Sequence, residues 1–371
     1  MKITVLKNNL KNGLGLIERA IADNNNLPVL KNVLIKTAGN KIQLSATNLE
    51  IGITTAVPAK IVEEGALTVP FATFYSIVSN LPNERIDCEV KNNTLLITTD
   101  SYDAKIQGLS DSDFPIIPTI QTPIATITIE AAILNEALGQ VALAAQVSEV
   151  MPEISGALLT RNSNEYKLAA TDSFRLAEKT LAAHQVQAKN SEAFRVIIPL
   201  KTIQEVQRAF AGTGAVDIAV DAAQILFKNE HTTLISRVID GKYPDYEQIV
   251  PKTSETEVIM EKESFLSALK LVSSFSGKVN EVRLTVDGAK KVLEAHAANQ
   301  LLGENSYLIP AKIKGPNVEA VSFNWRYLFD GLRALRGNQV LFVLNGNAKP
   351  AVLKSPDDAS YFYIVMPIRN T

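Results

Sequence analysis

The chain has 371 residues, 46% of them hydrophobic and 20% charged, a balance that excludes a mostly disordered polypeptide. Lys and Arg number 37 against 39 Asp and Glu, so the net charge of −2 excludes a uniformly basic nucleic-acid coat but allows charge to be segregated onto separate surfaces. The single cysteine, Cys88, excludes an intrachain disulfide and any site needing two cysteine ligands.

Met1-Lys2-Ile3-Thr4-Val5-Leu6-Lys7 lacks the basic start and long apolar core of a signal peptide. No run approaches about 18 uninterrupted apolar residues, so no spanning helix is expected and the cytoplasm is the simplest location. In chain order, a helix is expected over about Leu10 to Ala22, then strands at Val29 to Lys36 and Lys41 to Ala46. Leu67-Thr68-Val69-Pro70 reads as a strand entering an amphipathic helix, Phe71 to Leu81, with the proline suited to a first helical turn. Thr94 to Thr99 is a further strand. A helix over Ala131 to Val147 sets Ile133, Leu134, Ala137, Leu138, Val141 and Ala145 on one face. Val196-Ile197-Ile198-Pro199 then enters a helix from Leu200 to Phe210, and Ile225 to Lys228 is a strand. The last third gives a helix over Ser264 to Phe275, a strand over Ala320 to Asn324 and a helix over Trp325 to Leu335. Polar turns fall at Gly39-Asn40, Lys91-Asn92-Asn93 and Asn162-Ser163-Asn164.

These elements recur. Ala46-Thr47-Asn48, Ala170-Thr171-Asp172 and Ala297-Ala298-Asn299 are 124 and 127 residues apart. Pro70, Pro199 and Asn324 close the strand before the second helix at intervals of 129 and 125, and Phe114-Pro115 returns as Tyr243-Pro244 after 129. Three markers at one spacing mean a threefold internal repeat. Each third holds two helices and several antiparallel strands, so the fold class is α+β. Domains are expected at 1–120, 121–252 and 253–371, with borders near Thr119–Pro123 and Pro251–Thr256, where Pro, Thr and Ser cluster.

No Gly-x-Gly-x-x-Gly, phosphate-cradling loop or Gly-x-Ser-x-Gly elbow occurs. His184, His231 and His296 are 47 and 65 residues apart, without metal-ligand spacing. Asp111-Ser112-Asp113, between Ser110 and Pro115, reads as a solvated turn rather than a metal-binding pair. Asp240, Asp245 and Glu247 surround another turn. Carboxylates gathered from distant positions, as in a hydrolase, are the remaining enzymatic reading, and no motif points to one.

The phrases inside the repeats resemble a known family. Leu27-Pro28-Val29-Leu30-Lys31-Asn32-Val33-Leu34-Ile35, Ala46-Thr47-Asn48-Leu49-Glu50-Ile51 and Asp113-Phe114-Pro115 lie in the first third. Ala170-Thr171-Asp172-Ser173-Phe174-Arg175-Leu176-Ala177, Asp240-Gly241-Lys242-Tyr243-Pro244-Asp245-Tyr246 and Ile249-Val250-Pro251 follow in the second, and Tyr363-Ile364-Val365-Met366-Pro367-Ile368-Arg369 ends the third. In that order, from Met1 to Arg369, they resemble the beta subunits of bacterial DNA polymerase III, the sliding clamps. The resemblance implies three clamp domains, each with two helices against two sheets, in a head-to-tail dimeric ring. It implies a non-enzymatic processivity factor without cofactor or metal, which encircles duplex DNA and tethers the polymerase. Contacts to DNA would be to phosphate and independent of sequence. A clamp-like scaffold specialised for repair is a related reading.

The family docks short apolar peptides of the polymerase III alpha subunit, the clamp loader and other partners into a groove. Matching positions are Ile154, Thr171, Ser173, Phe174, Arg175 and Leu176, then Pro244, Gln248 and Ile249. Ala348 and Pro350 follow, and Ile364, Val365, Met366, Pro367, Ile368 and Arg369 complete the set, with Arg175 and Arg369 as polar anchors. Without the resemblance, Leu176, Ile249, Ile364 and Met366 would read as core. Where the family commonly has Gly-His, this chain has Ser173-Phe174, and Met151 stands where Arg is frequent. DNA-facing positions are Asn24, Lys201, Arg208 and Lys270; the expected helices together with the residues flanking their ends carry nine basic residues against seven acidic. Ala72, Thr73 and Ser79 stand where the family often has basic residues. The dimer interface is expected at Ala104 and Ile106 on an edge strand and at Val272 and Phe275, with Phe275 a main apolar anchor.

Overall fold

The computed structural model describes residues 1–22, 27–162, 165–189 and 193–368. The first repeat opens with β1 (Lys2–Leu6), α1 (Lys7–Ile17), β2 (Asn32–Ala38), β3 (Lys41–Thr47) and β4 (Ile51–Glu63). It continues with β5 (Ala66–Pro70), α2 (Phe71–Asn80), β6 (Arg85–Lys91), β7 (Thr94–Thr98) and β8 (Asp103–Gln107). The second has β9 (Ala125–Glu130), α3 (Ala131–Ala142), β10 (Gly156–Asn162), β11 (Glu165–Thr171) and β12 (Arg175–Leu181). After β13 (Val186–Ala188) come β14 (Phe194–Pro199), α4 (Leu200–Ala209), β15 (Ala215–Val220), β16 (Gln224–Lys228) and β17 (Thr232–Arg237). The third has β18 (Thr256–Glu261), α5 (Lys262–Ser273), β19 (Glu281–Asp287), β20 (Val292–Asn299) and β21 (Gly303–Pro310). It ends with β22 (Lys312–Lys314), β23 (Val318–Asn324), α6 (Trp325–Ala334), β24 (Gln339–Leu344), β25 (Ala351–Ser355) and β26 (Asp358–Val365).

The six expected helices are present, with shifted ends. The first begins at Lys7 rather than Leu10 and is continued after Ile17 by a tighter turn over Glu18–Ala20. α3 stops at Ala142, before the expected Val147. Val29–Lys31 belongs to a short 3-10 turn, not to the strand, which begins at Asn32. Pro70 caps α2 from outside the helix, since a proline there sacrifices no intrahelical bond. In the third repeat Asn324 takes that place, and its side chain accepts from the Arg326 amide at 3.0 Å. Asn92 and Asn93, both with positive φ, make the β6–β7 hairpin turn.

Each repeat enters its first helix in the same way. The amides of Lys7, Ala131 and Lys262 donate to the carbonyls of Glu84, Gly214 and Asn338, beyond the second helix of the repeat. Lys7 and Lys262 also place Nζ on the Leu81 and Leu335 carbonyls, where α2 and α6 end and a cation complements the helix dipole.

The contacts cluster in two compact units although the sequence repeats three times. The first is Met1–Asn135, Val186–Glu192 and Gln204–Val238; the second is Glu136–Gln185, Ala193–Ile203 and Ile239–Thr371. Within the first unit one thirteen-stranded sheet runs β13-β9-β15-β16-β17-β4-β1-β6-β7-β8, with β2, β3 and β5 branching from β4. The seam between repeats is the antiparallel pair β4–β17, where Thr55 faces Thr232 and their hydroxyls bond at 3.0 Å. Within the second unit a nine-stranded sheet runs β14-β10-β11-β12-β26-β25-β24-β18-β22, and its seam is β12–β26. A four-stranded sheet, β21-β20-β19-β23, completes it. The helices bury one stripe each, such as Phe71, Phe74 and Val78 on α2 and Phe265, Leu269 and Val272 on α5.

Candidate partner-binding groove

The turn between β11 and β12 is set by three polar side chains. Thr171 Oγ1 donates to the Arg175 carbonyl at 2.7 Å and accepts from the Ser173 amide at 3.2 Å. Asp172 Oδ1 accepts from the amides of Phe174 and Arg175, both at 3.0 Å. These bonds hold Ser173 in the left-handed region at φ +75° and turn Phe174 outward, 60% exposed. The Met366 amide donates to the Phe174 carbonyl at 2.8 Å and fixes the end of β26 beside the turn.

The same turn exists in the first repeat. Thr47 Oγ1 bonds the Ile51 carbonyl and the Leu49 amide, both at 3.0 Å, and Asn48 Oδ1 accepts from Glu50 and Ile51. Leu49 takes φ +73° and is exposed. The two turns share their opening threonine, and the fifth residue is Ile51 in one and Arg175 in the other.

Arg175 is held from three sides. Its Nε donates to Asp172 Oδ2 at 2.8 Å, its Nη1 donates to Asp330 Oδ2 on α6 at 2.7 Å, and its guanidinium lies 4.4 Å from the Tyr327 ring centre. The side chain is 12% exposed. Its charge is therefore engaged within the protein, and Arg175 shapes the turn more than it offers a free anchor. Burial pushes the nearby Tyr363 phenol above its ordinary range, with the Arg175 charge opposing.

The apolar positions separate into a floor and a rim. Leu176, Ile364 and Val365 are wholly buried, and Ile154, Thr171 and Pro367 are buried as well. Leu176 and Ile364 share a core cluster with Leu158, Ile197, Tyr243 and Tyr246. Of the expected groove positions, these are buried in the chain, beneath the exposed ones. Tyr243 and Tyr246 meet edge to face, and the Tyr246 hydroxyl donates to buried Glu178 at 2.6 Å. This pair, which fastens the 243–250 segment onto the sheet, was not singled out from sequence, although Tyr243 was visible as a repeat marker. At the surface stand Phe174, Ile249 (43% exposed), Met151, Pro244, Ser173, Gln248 and Ala348, with Pro350, Met366 and Ile368 half-buried. Gln248 Nε2 donates to Asp245 at 2.7 Å. The Ile368 amide donates to Ser322 at 2.7 Å. Arg369 and Asn24 lie outside the described residues.

Lys201 and Lys270 are exposed, and Lys270 Nζ lies 5.6 Å from the Phe329 ring centre. Arg208 instead turns inward: Nη2 donates to Glu205 at 2.6 Å and to the Leu16 carbonyl at 2.7 Å, and Nη1 bonds the Gly15 carbonyl. Glu205, which also lies 3.8 Å from Arg19, offsets the Arg208 charge. The observed helices carry Lys7, Lys11, Lys201, Arg208, Lys262, Lys270, Arg326 and Arg333 against Glu136, Glu205, Glu263 and Asp330. The helices thus have a net charge of +4 in a chain whose net charge is −2.

Ala104 and Ile106 lie on β8, which ends its sheet; Ile106 is buried and Ala104 half-buried. Val272 is wholly buried, and Phe275, half-buried, packs beside Gly303 at the start of β21. The exposed apolar side chains here are Leu271, Leu301 (93% exposed), Leu302, Tyr307 and Leu308, the last two on β21, which also ends its sheet. Sequence reasoning missed these five; the Leu301-Leu302 pair beside a polar turn was the available signal. Among the described residues no group of three or more His, Cys, Asp or Glu could hold a metal ion, and no helix is long and apolar enough to cross a membrane.

Three α+β repeats whose sheets fuse across repeat borders define the DNA-clamp class of proteins. Profiles of the DNA polymerase III beta subunit match along the chain: its N-terminal domain at residues 1–118, its central domain at 128–245 and its C-terminal domain at 247–369. The beta sliding clamp of Synechococcus elongatus is 31% identical over 379 residues, covering 100% of this chain and 99% of that protein. That of Bacillus subtilis is 25% identical over 100% of both. The crystal structure of the Bacillus subtilis clamp matches with a TM-score of 0.93 at 25% identity, and that of a Pseudomonas aeruginosa clamp bound to griselimycin with 0.94 at 28%, each covering 100% of both chains. The chain belongs to the DNA polymerase III beta subunit family, the DNA sliding clamps, which are non-catalytic processivity subunits.

Proposed function

We propose that two copies join head to tail into a closed ring that encircles duplex DNA, slides on it, and tethers the polymerase and other partners. The observation that carries this reading is the pattern of seams. β4, β12 and β21 hold the same place in their repeats, and so do β8, β17 and β26. β4 pairs with β17 and β12 with β26, while β21 and β8 remain sheet edges. Unpaired edges invite strand pairing. Antiparallel pairing of β21 with β8 of a second copy repeats the seam a third time, and two such contacts close a dimer. The exposed Leu301, Leu302, Tyr307 and Leu308 around β21 supply the apolar area, with Glu304 on β21 and Lys105 on β8 of opposite charge.

The domains of this ring are taken as 1–120, 121–252 and 253–371; the three profiles, over 1–118, 128–245 and 247–369, support a division into three. The helix charge of +4 supports a phosphate-facing, sequence-independent surface to which Lys201 and Lys270 contribute. The rim of Phe174, Ile249, Pro244 and Met366 over its buried floor suits a short apolar peptide of the polymerase alpha subunit or clamp loader. The protein works at DNA in the bacterial cytoplasm. The test is retention on circular against linearised plasmid after loading by a bacterial clamp loader. Retention on the circle with loss from the linear form is expected; equal retention on both overturns the sliding ring.

A further inference from the structure

The first unit contains a cavity of about 340 Å³ at its seam, walled by α1, β4, the end of α4 and the β16–β17 turn. The second unit has the same place filled by its own side chains. Helices α1 and α3 begin at Lys7 and Ala131, so Asn12 corresponds to Glu136 and Leu16 to Gln140. Helices α4 and α6 end at Ala209 and Ala334, so Ala211 corresponds to Arg336. Thr232 faces Thr55 across one seam as Tyr361 faces Lys179 across the other.

In the second unit Arg336 pairs with Glu136, Gln140 Nε2 donates to the Ala334 carbonyl at 2.9 Å, and the Tyr361 hydroxyl donates to the Gln140 carbonyl at 3.1 Å. In the first unit the Leu16 carbonyl, in the place of Gln140, accepts from Arg208 at 2.7 Å, and the other fillers are missing: Arg336 is replaced by Ala211, Glu136 by Asn12 and Tyr361 by Thr232. The space that Tyr361 fills at the other seam is left open, and the cavity is within the ordinary size of ligand pockets. Its apolar walls are Leu16, Val57, Pro58 and Phe210, and its polar groups are Asn9, Asn12, Asn229 and His231. No Asp, Glu, Lys or Arg lines it.

We propose that this cavity is a binding site for a small uncharged aromatic ring bearing a hydroxyl, the group Tyr361 supplies from within the chain at the other seam. An ion is disfavoured, because no wall residue offers the opposite charge to offset its desolvation. A purely apolar ligand would forgo hydrogen bonds to the Asn9 and Asn12 amides that a hydroxyl could make.

The probe is 4-methylphenol, titrated into the full-length protein by calorimetry and ligand-observed NMR, with toluene as the ring lacking a hydroxyl. Saturable binding in about the millimolar range is expected, about tenfold tighter than toluene. The double variant N12E/A211R rebuilds the ion pair of the other seam across the mouth at two exposed positions, and should weaken 4-methylphenol at least about tenfold with thermal unfolding unchanged. Thr232→Tyr fills the cavity from inside and should do the same. Absence of saturable binding, equal binding of toluene, or unchanged binding in a folded N12E/A211R protein overturns the proposal.

Discussion

Arg175 donates through Nη1 to Asp330 at 2.7 Å, and that bond ties the turn before β12 to helix α6. The turn beneath Phe174 therefore depends on a helix 155 residues away in sequence.

Replacing Arg175 with alanine strands Asp172, whose side chain is 2% exposed. Asp172 keeps its two backbone donors, so the loss should be about 2 kcal/mol rather than the larger cost of an isolated buried charge. Asp330→Asn should cost less than about 1 kcal/mol, because Asp330 is 41% exposed. Denaturant unfolding reads the stabilities, and fluorescence anisotropy with a labelled apolar clamp-binding peptide reads the groove. Both variants should bind more weakly, Arg175→Ala the more so.

Leu308→Lys should shift the protein from dimer to monomer in sedimentation velocity without loss of thermal stability of the chain. Val272→Ala should do the reverse: about 2 kcal/mol of stability lost from a buried site, with self-association retained. Phe275, half-buried beside β21, should show both effects on substitution by alanine. A monomeric Val272→Ala protein of normal stability would refute this assignment.

Burial pushes the Cys88 thiol up to about 12, with Asp87 adding to the shift, and burial also raises the phenols of Tyr243 and Tyr246. A raised folded-state pKa favours the protonated form, so this stability is complete below the unfolded pKa and lost above it. Unfolding free energy should hold level to about pH 8.5 and then fall, by as much as about 1.4 kcal/mol per pH unit for each group titrating. Iodoacetamide should label Cys88 only in denaturant; rapid native labelling at pH 8 would contradict the burial.

Lys270→Ala and Arg333→Ala should each weaken DNA binding by unloaded protein and reduce the slope of log affinity against log salt by about one. Arg208→Ala should leave that slope nearly unchanged, because Arg208 is already paired with Glu205. Filter binding at several salt concentrations separates the two behaviours.

A Cβ on Gly156 would lie 2.1 Å from the Ile198 carbonyl oxygen, on the strand pair beneath the groove. Gly156→Ala should cost more than about 2 kcal/mol in urea unfolding, since backbone rather than a flexible side chain must move. Gly212, with nothing near its Cβ position, should accept alanine.

Much of the fold was legible because its signals are local. The apolar spacing on α3, the proline before α2 and the Asn92-Asn93 turn each act within a few residues, so sequence locates them to within a turn or so. Helix ends were misplaced where tertiary contacts decide them, as where Lys7 is fixed by the Glu84 carbonyl. For the proposed groove, the resemblance named candidate segments but not which side chains are open. Leu176 and Phe174 lie two residues apart, one wholly buried and the other 60% exposed, because the turn at Ser173 and the pleat of β12 set their directions.

The sequence by itself determined three α+β repeats, their six helices and the absence of a recognisable catalytic motif. Only the tertiary structure decided how the repeats join. The seams β4–β17 and β12–β26 are made of backbone hydrogen bonds, which any non-proline residue can form and which therefore leave no composition or spacing to read. The same pairing regroups three repeats into two compact units, leaves β8 and β21 as edges, and fills one seam cavity while leaving the other open. Strand order links residues more than a hundred positions apart, and such partnerships exist only once the chain has folded.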